Sequence, residues 1–254
     1  MGETDVDSVK IRKLIIGEGL PKICVPIVER TKDKILNTAR EIAHSPADLV
    51  EWRADWYESV FEIEKVKMLV GELREAIRDL PLLFTFRTKA EGGEKEIEFE
   101  QYKRLLHDVA ATSYVDLIDV EMFFDDTVPG LISDLKNKGV KVIASNHDFV
   151  KTPSKEEIIR RLCYMQEKGA DIAKLAVMPQ NKKDVMTLLI ATEEMASQHA
   201  TGPIVTMSMS GMGSVSRVTG EIFGSSITFG TLGRVSAPGQ IHVEKLKEIM
   251  EILH

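Results

Sequence analysis

The stretch Asp171-Ile172-Ala173-Lys174-Leu175-Ala176-Val177-Met178-Pro179 reads as a short apolar β-strand with a lysine at its centre. An ammonium inside an apolar strand costs several kcal/mol unless it is paired or neutral. A neutral amine, in turn, is a nucleophile that can form a Schiff base with a carbonyl. On this stretch alone, a Lys174 that snorkels from the strand edge or pairs with Asp171 is an equal reading.

The strand is one of a series. Apolar, β-branched runs begin near Lys22, Asp48, Pro81, Tyr114, Lys141, Asp171, Pro203 and Ile227, about 24 to 33 residues apart, the length of a strand plus a crossover helix. Apolar residues at three- and four-residue spacing predict helices over 31–44, 61–79, 99–111, 154–168, 182–198 and 243–253. Ser154 and Glu157 carry the signature of a capping box. Eight such units predict an α/β protein, a closed parallel (β/α)8 barrel of the TIM type. A short hairpin over 9–16 precedes it. No GxGxxG follows the first strand, no Walker motif occurs, and no linker divides the chain, so 1–254 reads as one domain.

With 254 residues, 43% of them hydrophobic, there is ample material for one core. The net charge of -7 provides no basic footprint for nucleic acid, so an anionic substrate would depend on local arginines. No run approaches the roughly 18 apolar residues of a membrane helix. Residues 2–7 are too polar for a signal peptide, and a soluble, cytoplasmic protein is expected. Cys24 and Cys163 lack CxxC spacing and the histidines are not clustered, which predicts reduced thiols and no metal site.

Side chains alternate along a strand, so one parity of a barrel strand faces the lumen. Glu51, Arg53 and Asp55 share a parity, as do Thr85 and Arg87, Asp119 and Glu121, and Ser145 and His147. Each set lies toward the carboxyl end of its strand, where barrel enzymes build their sites. Singly, Glu51, Asp119 or Glu121 reads best as a structural lumen ion pair. That reading strains to cover Arg53, Arg87, His147 and Lys174 together.

Several motifs then fall in order: Glu51-Trp52-Arg53-Ala54-Asp55, Phe86-Arg87-Thr88 with Glu91-Gly92-Gly93, Ser145-Asn146-His147-Asp148-Phe149, Asp171-Ile172-Ala173-Lys174, Ser216-Arg217, and Ser236-Ala237-Pro238-Gly239-Gln240. From about Ile11 to the end, the chain resembles the type I 3-dehydroquinate dehydratases, Schiff-base lyases of the shikimate pathway. The resemblance implies a barrel whose N-terminal hairpin closes its bottom, a homodimer, and neither metal nor organic cofactor. It also implies that Lys174 forms the imine with the ketone of 3-dehydroquinate, that His147 is general acid and base, and that Glu91 orients and polarises it. Arg217 would bind the substrate carboxylate. Glu51, Arg53, Arg87, Ser236 and Gln240 would contact hydroxyls or frame the pocket. Ser210-Gly211-Met212-Gly213 departs from the family, in which a larger charged residue is common near Gly211.

The chemistry suits these groups. Expelling a β-hydroxyl after proton loss beside a ketone needs an electron sink, which an iminium on Lys174 supplies. Apolar neighbours and a ring of arginines would favour the free amine needed for attack. Imidazole can both remove and return a proton near neutral pH. The planar fork of Arg217 suits a carboxylate, and the glycine-rich segment 229–240 could close over substrate. Two other readings remain: a class I aldolase, with the glycines after strands seven and eight cradling phosphate, and a barrel that binds without catalysing.

Overall fold

In a computed structural model of the chain, residues 7–234 and 236–254 are described. After the antiparallel hairpin of β1 (Val9–Ile11) and β2 (Leu14–Ile16) come β3 (Lys22–Ile27), α1 (Lys32–Ile42), β4 (Leu49–Arg53), α2 (Ile63–Ile77), β5 (Leu82–Thr85), α3 (Phe99–Ala110) and β6 (Leu117–Glu121). The second half runs α4 (Val128–Asn137), β7 (Lys141–Asp148), α5 (Lys155–Glu167), β8 (Ile172–Val177), α6 (Lys182–Glu194), β9 (Ile204–Ser208), α7 (Val215–Val218), α8 (Gly220–Phe223), β10 (Ile227–Thr231), β11 (Ile241–His242) and α9 (Val243–Leu253). All eight expected strands are present. They pair in parallel in the order β10-β3-β4-β5-β6-β7-β8-β9, with β11 added beside β10.

The curled sheet closes on itself through side chains as much as backbone. Between β9 and β10 the described residues make one bridge, Ile204 with Ser225, and the Ser226 N–H donates to the Ile204 carbonyl at 2.8 Å. The Ser225 hydroxyl accepts the Thr206 N–H at 3.1 Å, occupying a position in the ladder that a backbone group would otherwise fill. The architecture is therefore an α/β barrel of the TIM type with one lightly sewn seam.

Strand alternation sorts the core into two shells. Outward residues such as Trp52, Phe84, Ile118 and Leu175 pack beneath the helices. Inward, Leu49, Leu83, Leu117, Ile143 and Ile172 form an apolar floor together with Val9, Ile11 and Ile16 of the hairpin. Each fully buried side chain of this kind stabilises the fold by about 1.5–3 kcal/mol. The hairpin lies at the amino-terminal ends of the strands, where Arg12 Nε donates to Asp116 Oδ1 at 2.7 Å just before β6. The bottom is thus shut, and the polar upper half of the lumen opens the other way.

The helices 31–44, 61–79, 99–111, 154–168, 182–198 and 243–253 are all found, the last with the expected bounds and the first four shortened, and 195–199 winds as a π-turn after Glu194. An additional helix, α4, lies outside that set because Pro129 and Gly130 in its first turn break up a buried stripe of Val128, Leu131, Ile132 and Leu135. The capping box forms by half. Ser154 Oγ accepts the Glu157 N–H at 3.3 Å, but the Glu157 carboxylate turns to Arg160 and Arg161, which pull its pKa down to about 2. Among the described residues no helix is long and apolar enough to cross a membrane.

Candidate active site

Lys174 lies mid-strand in β8, level with Ser145 of β7, and is 3% exposed. Its Nζ lies 3.4 Å from Asp119 Oδ2 and 4.4 Å from the centroid of the Phe229 ring. The alternative partner Asp171 is turned away, accepting from Lys141 Nζ at 3.1 Å and from the Val142 N–H at 2.9 Å. Asp119 also accepts from Arg87 at 2.7 Å and from the Ser145 hydroxyl at 2.6 Å. Burial pushes the Asp119 carboxyl up, but Arg87 and Lys174 together outweigh it and hold the group below the usual carboxylate range.

Nη1 of Arg87 reaches Glu121 Oε1 (2.9 Å), Ser145 Oγ (3.0 Å) and Glu91 Oε2 (3.4 Å). Burial opposes its charge, yet the three carboxylates outweigh burial and raise its pKa well above the ordinary value. Arg53 is gripped by Asp55 through two hydrogen bonds of 2.8 Å. The expected ring of free cations is therefore reduced: two of its arginines are matched by carboxylates, and Arg87 frames the pocket. Glu51 Oε1 accepts from the Thr85 hydroxyl at 2.9 Å, and its second oxygen has no hydrogen bond to a described side chain.

His147, the next-to-last residue of β7, places its Nδ1 2.9 Å from Glu91 Oε2, which also accepts the His147 N–H at 2.9 Å. Burial, followed by Arg87, Lys174 and Arg53, holds the imidazole well below its ordinary pKa. Burial, with the Glu121 charge beside it, raises Glu91 to about 8. The pair therefore sits in a dry setting where burial disfavours charge on both the carboxyl and the ring.

Glu91 reaches this position from a 3-10 turn that folds back over β5, and Gly93 makes the fold-back possible. A Cβ at Gly93 would overlap the Arg87 carbonyl. Gly93→Ala is therefore expected to cost about 3 kcal/mol, read as a lower denaturant midpoint with unchanged slope. A midpoint equal to wild type would show that the turn relaxes freely.

Arg217, on α7, has no carboxylate partner among the described residues. It is 2% exposed, its Nη2 donates to the Pro238 carbonyl at 3.1 Å, its Nη1 meets Met207 Sδ at 3.8 Å, and its Nε is buried without a partner. Burial lowers its pKa to about 10. Ser236 and Gln240 bond each other twice at 2.8 Å, bracing the segment after β10.

Every site residue nominated from the sequence lines one cavity: Lys174, His147, Glu91, Glu51, Arg53, Arg87, Arg217, Ser236 and Gln240. Residues 23–254 match the type I 3-dehydroquinase family. The chain belongs to that family. It is 53% identical over 248 residues, 97% of each chain, to a 3-dehydroquinate dehydratase of Clostridioides difficile strain 630. A solved type I 3-dehydroquinate dehydratase from Clostridium difficile, carrying covalently modified comenic acid, superposes with a TM-score of 0.95 at 52% identity, covering 98% of both chains. The 3-dehydroquinate dehydratase of Enterococcus faecalis superposes with a TM-score of 0.91 at 44% identity, covering 97% of this chain and 99% of its own.

The type I 3-dehydroquinase family is a family of enzymes, which takes the place of both the aldolase and the non-catalytic readings. Sequence reasoning left Met207, Met209, Ala176, Phe149 and Phe229 unassigned. They form the apolar wall of the cavity. Strand parity alone could have placed Ala176 and Phe229, whereas Met209 and Phe149 lie beyond the strand ends, where alternation gives no guide.

Proposed function

We propose that the chain dehydrates 3-dehydroquinate to 3-dehydroshikimate, the reaction named for its relatives in the shikimate pathway, through a Schiff base on Lys174. One observation carries the reading: a buried primary amine, an imidazole–carboxyl pair and a buried guanidinium with no carboxylate of its own share a single cavity. The Lys174 amine adds to the ketone, and the carbinolamine takes up a proton on its hydroxyl and loses water to leave an iminium. His147, with Nδ1 on Glu91, takes the proton beside the iminium at its other nitrogen, and the electron pair flows into the C=N bond. The enamine then expels the β-hydroxyl, which leaves as water with the proton His147 took. Because one group makes both transfers, the elimination is from one face. Hydrolysis of the conjugated imine returns the amine.

The raised proton affinity of Glu91 supports this cycle. When the outer nitrogen of His147 is protonated, the Nδ1 proton can pass to Glu91, so no net imidazolium charge has to be held among Arg87, Arg53 and Lys174. Arg217 takes the substrate carboxylate, while Glu51, Arg53, Ser236 and Gln240 take its hydroxyls. On this reading residues 1–254 work as one barrel domain, in the cytoplasm and as a homodimer, without metal or organic cofactor.

Borohydride reduction in the presence of 3-dehydroquinate is expected to leave a stable adduct on the peptide containing Lys174, read by peptide mass mapping. An unmodified Lys174 after complete inactivation by borohydride would overturn the imine route.

A further inference from the structure

Glu91 is held from behind by a chain of hydrogen bonds that leaves the cavity. Its Oε1 accepts from Asn146 Nδ2 at 3.0 Å, and Asn146 Oδ1 accepts from Arg161 Nη1 at 2.9 Å. Arg161 stands on α5, where its Nε donates to Glu157 Oε1 at 2.7 Å and its guanidinium lies 5.9 Å from the centroid of the Phe123 ring. It does not line the cavity.

We propose that Arg161 is a positioning residue that fixes which way the Asn146 amide faces, and through it which nitrogen of His147 carries the proton. The inference rests on the reading of His147 as proton carrier. A guanidinium can only donate, so the amide oxygen must face Arg161 and the amide NH2 must face Glu91. Glu91 then meets donors from Asn146, from the His147 backbone and from Arg87, which favour the ionised carboxylate accepting from Nδ1–H against the burial and the Glu121 charge that raise Glu91 to about 8, so this form leads above that pH. The other ring nitrogen is left bare, as a base must be. Were the amide turned over, two oxygens would face each other across the same gap, and only a proton on Glu91 could bridge them. A protonated Glu91 donating to Nδ1 sends the ring proton to the outer nitrogen, which can no longer accept.

The other charged groups around the pair are Arg53 from β4, Arg87 from the end of β5, Asp119 and Glu121 from β6, and Lys174 from β8. None of them bonds to Arg161, so substitution there isolates the amide's contribution. Arg161→Met keeps the apolar stem and removes the donors, whereas Arg161→Lys keeps a donor-only group. In Arg161→Met the acid limb of the kcat profile is expected to move up by about one pH unit, with kcat near neutrality down about tenfold and KM within about twofold. Arg161→Lys is expected to return the limb toward wild type. Nitrogen NMR of 15N-histidine protein, taken just above pH 8, reads the tautomer directly: Nδ1–H in wild type and in Arg161→Lys, and a shift toward the outer nitrogen in Arg161→Met. A profile and ring signals unmoved in Arg161→Met, even with a lower melting temperature, would reduce Arg161 to packing and overturn the inference. Failure to trap Lys174 in wild type would instead sink the imine reading, because the ring signals report the tautomer independently of any adduct.

Discussion

Lys174→Met is expected to lower turnover on the order of 10⁵-fold while leaving the melting temperature equal to or above that of wild type. On the proposed imine route the kinetic loss follows from removing the amine that converts the ketone into an electron sink, and losses of that size are typical when a covalent nucleophile is deleted. The stability result follows from what remains. Asp119 keeps Arg87 at 2.7 Å and Ser145 at 2.6 Å, so its charge stays paired. Removing one partner of a buried ion pair is costly when it strands the other charge, but Asp119 stays paired with Arg87, so that penalty is largely avoided while the cost of burying the ammonium is relieved. The thioether would also lie against the Phe229 ring, whose centroid is 4.4 Å from Nζ, a favourable sulfur–aromatic contact. Steady-state rates and a thermal melt on the same preparation check both halves. Turnover within tenfold of wild type would remove Lys174 from the chemistry, and a collapsed melt would mean that its charge is needed for folding.

That dual role shows what a sequence can and cannot convey. The barrel was legible because each strand is short, apolar and flanked by turn residues, and because a period-2 pattern tells inward from outward without partners. Arg53, Arg87, His147 and Lys174 stood out for the same reason: a charge within an apolar alternation has to face something. What it faces is set by closure of the ring. Asp119 lies 55 residues from Lys174 in the chain yet contacts it, and no local pattern encodes that. Arg161 follows Asn146 by 15 residues, but only the packing of α5 against the barrel brings the two together. Glu91 sits in a 3-10 turn with no periodicity, so it was reached through motif likeness alone. The helix α4 escaped because proline and glycine, tolerated in a first turn, weaken the apolar spacing. The seam at β9 and β10 depends on Ser225, an ordinary loop serine until the ring closes.

Arg217→Leu is expected to weaken substrate and strengthen the fold together. In the free protein the guanidinium is 2% exposed, lacks a carboxylate, and has its pKa pulled down by burial to about 10. The sign follows from that direction. The folded state holds the proton less tightly than the unfolded chain, so the charged arginine costs folding free energy at every pH below about 10 and is relieved only above it. The shift corresponds to about 3 kcal/mol, offset in part by the bond to Pro238 worth about 1 kcal/mol. Leucine should therefore add about 1–2 kcal/mol, or about 2–4 °C in melting temperature for each kcal/mol. The same substitution deletes the one guanidinium lining the cavity that has no carboxylate partner among the described residues, so KM should rise about 10²- to 10³-fold, the usual range for losing a charged partner in a desolvated site. Arg217→Lys keeps the charge without the fork and should fall between. Added substrate should raise the melting temperature of wild type much more than that of Arg217→Leu, since the binding carboxylate relieves a strain the variant no longer has. A variant less stable than wild type with unchanged KM would show that Arg217 serves the fold, and the carboxylate would have to be placed elsewhere in the cavity.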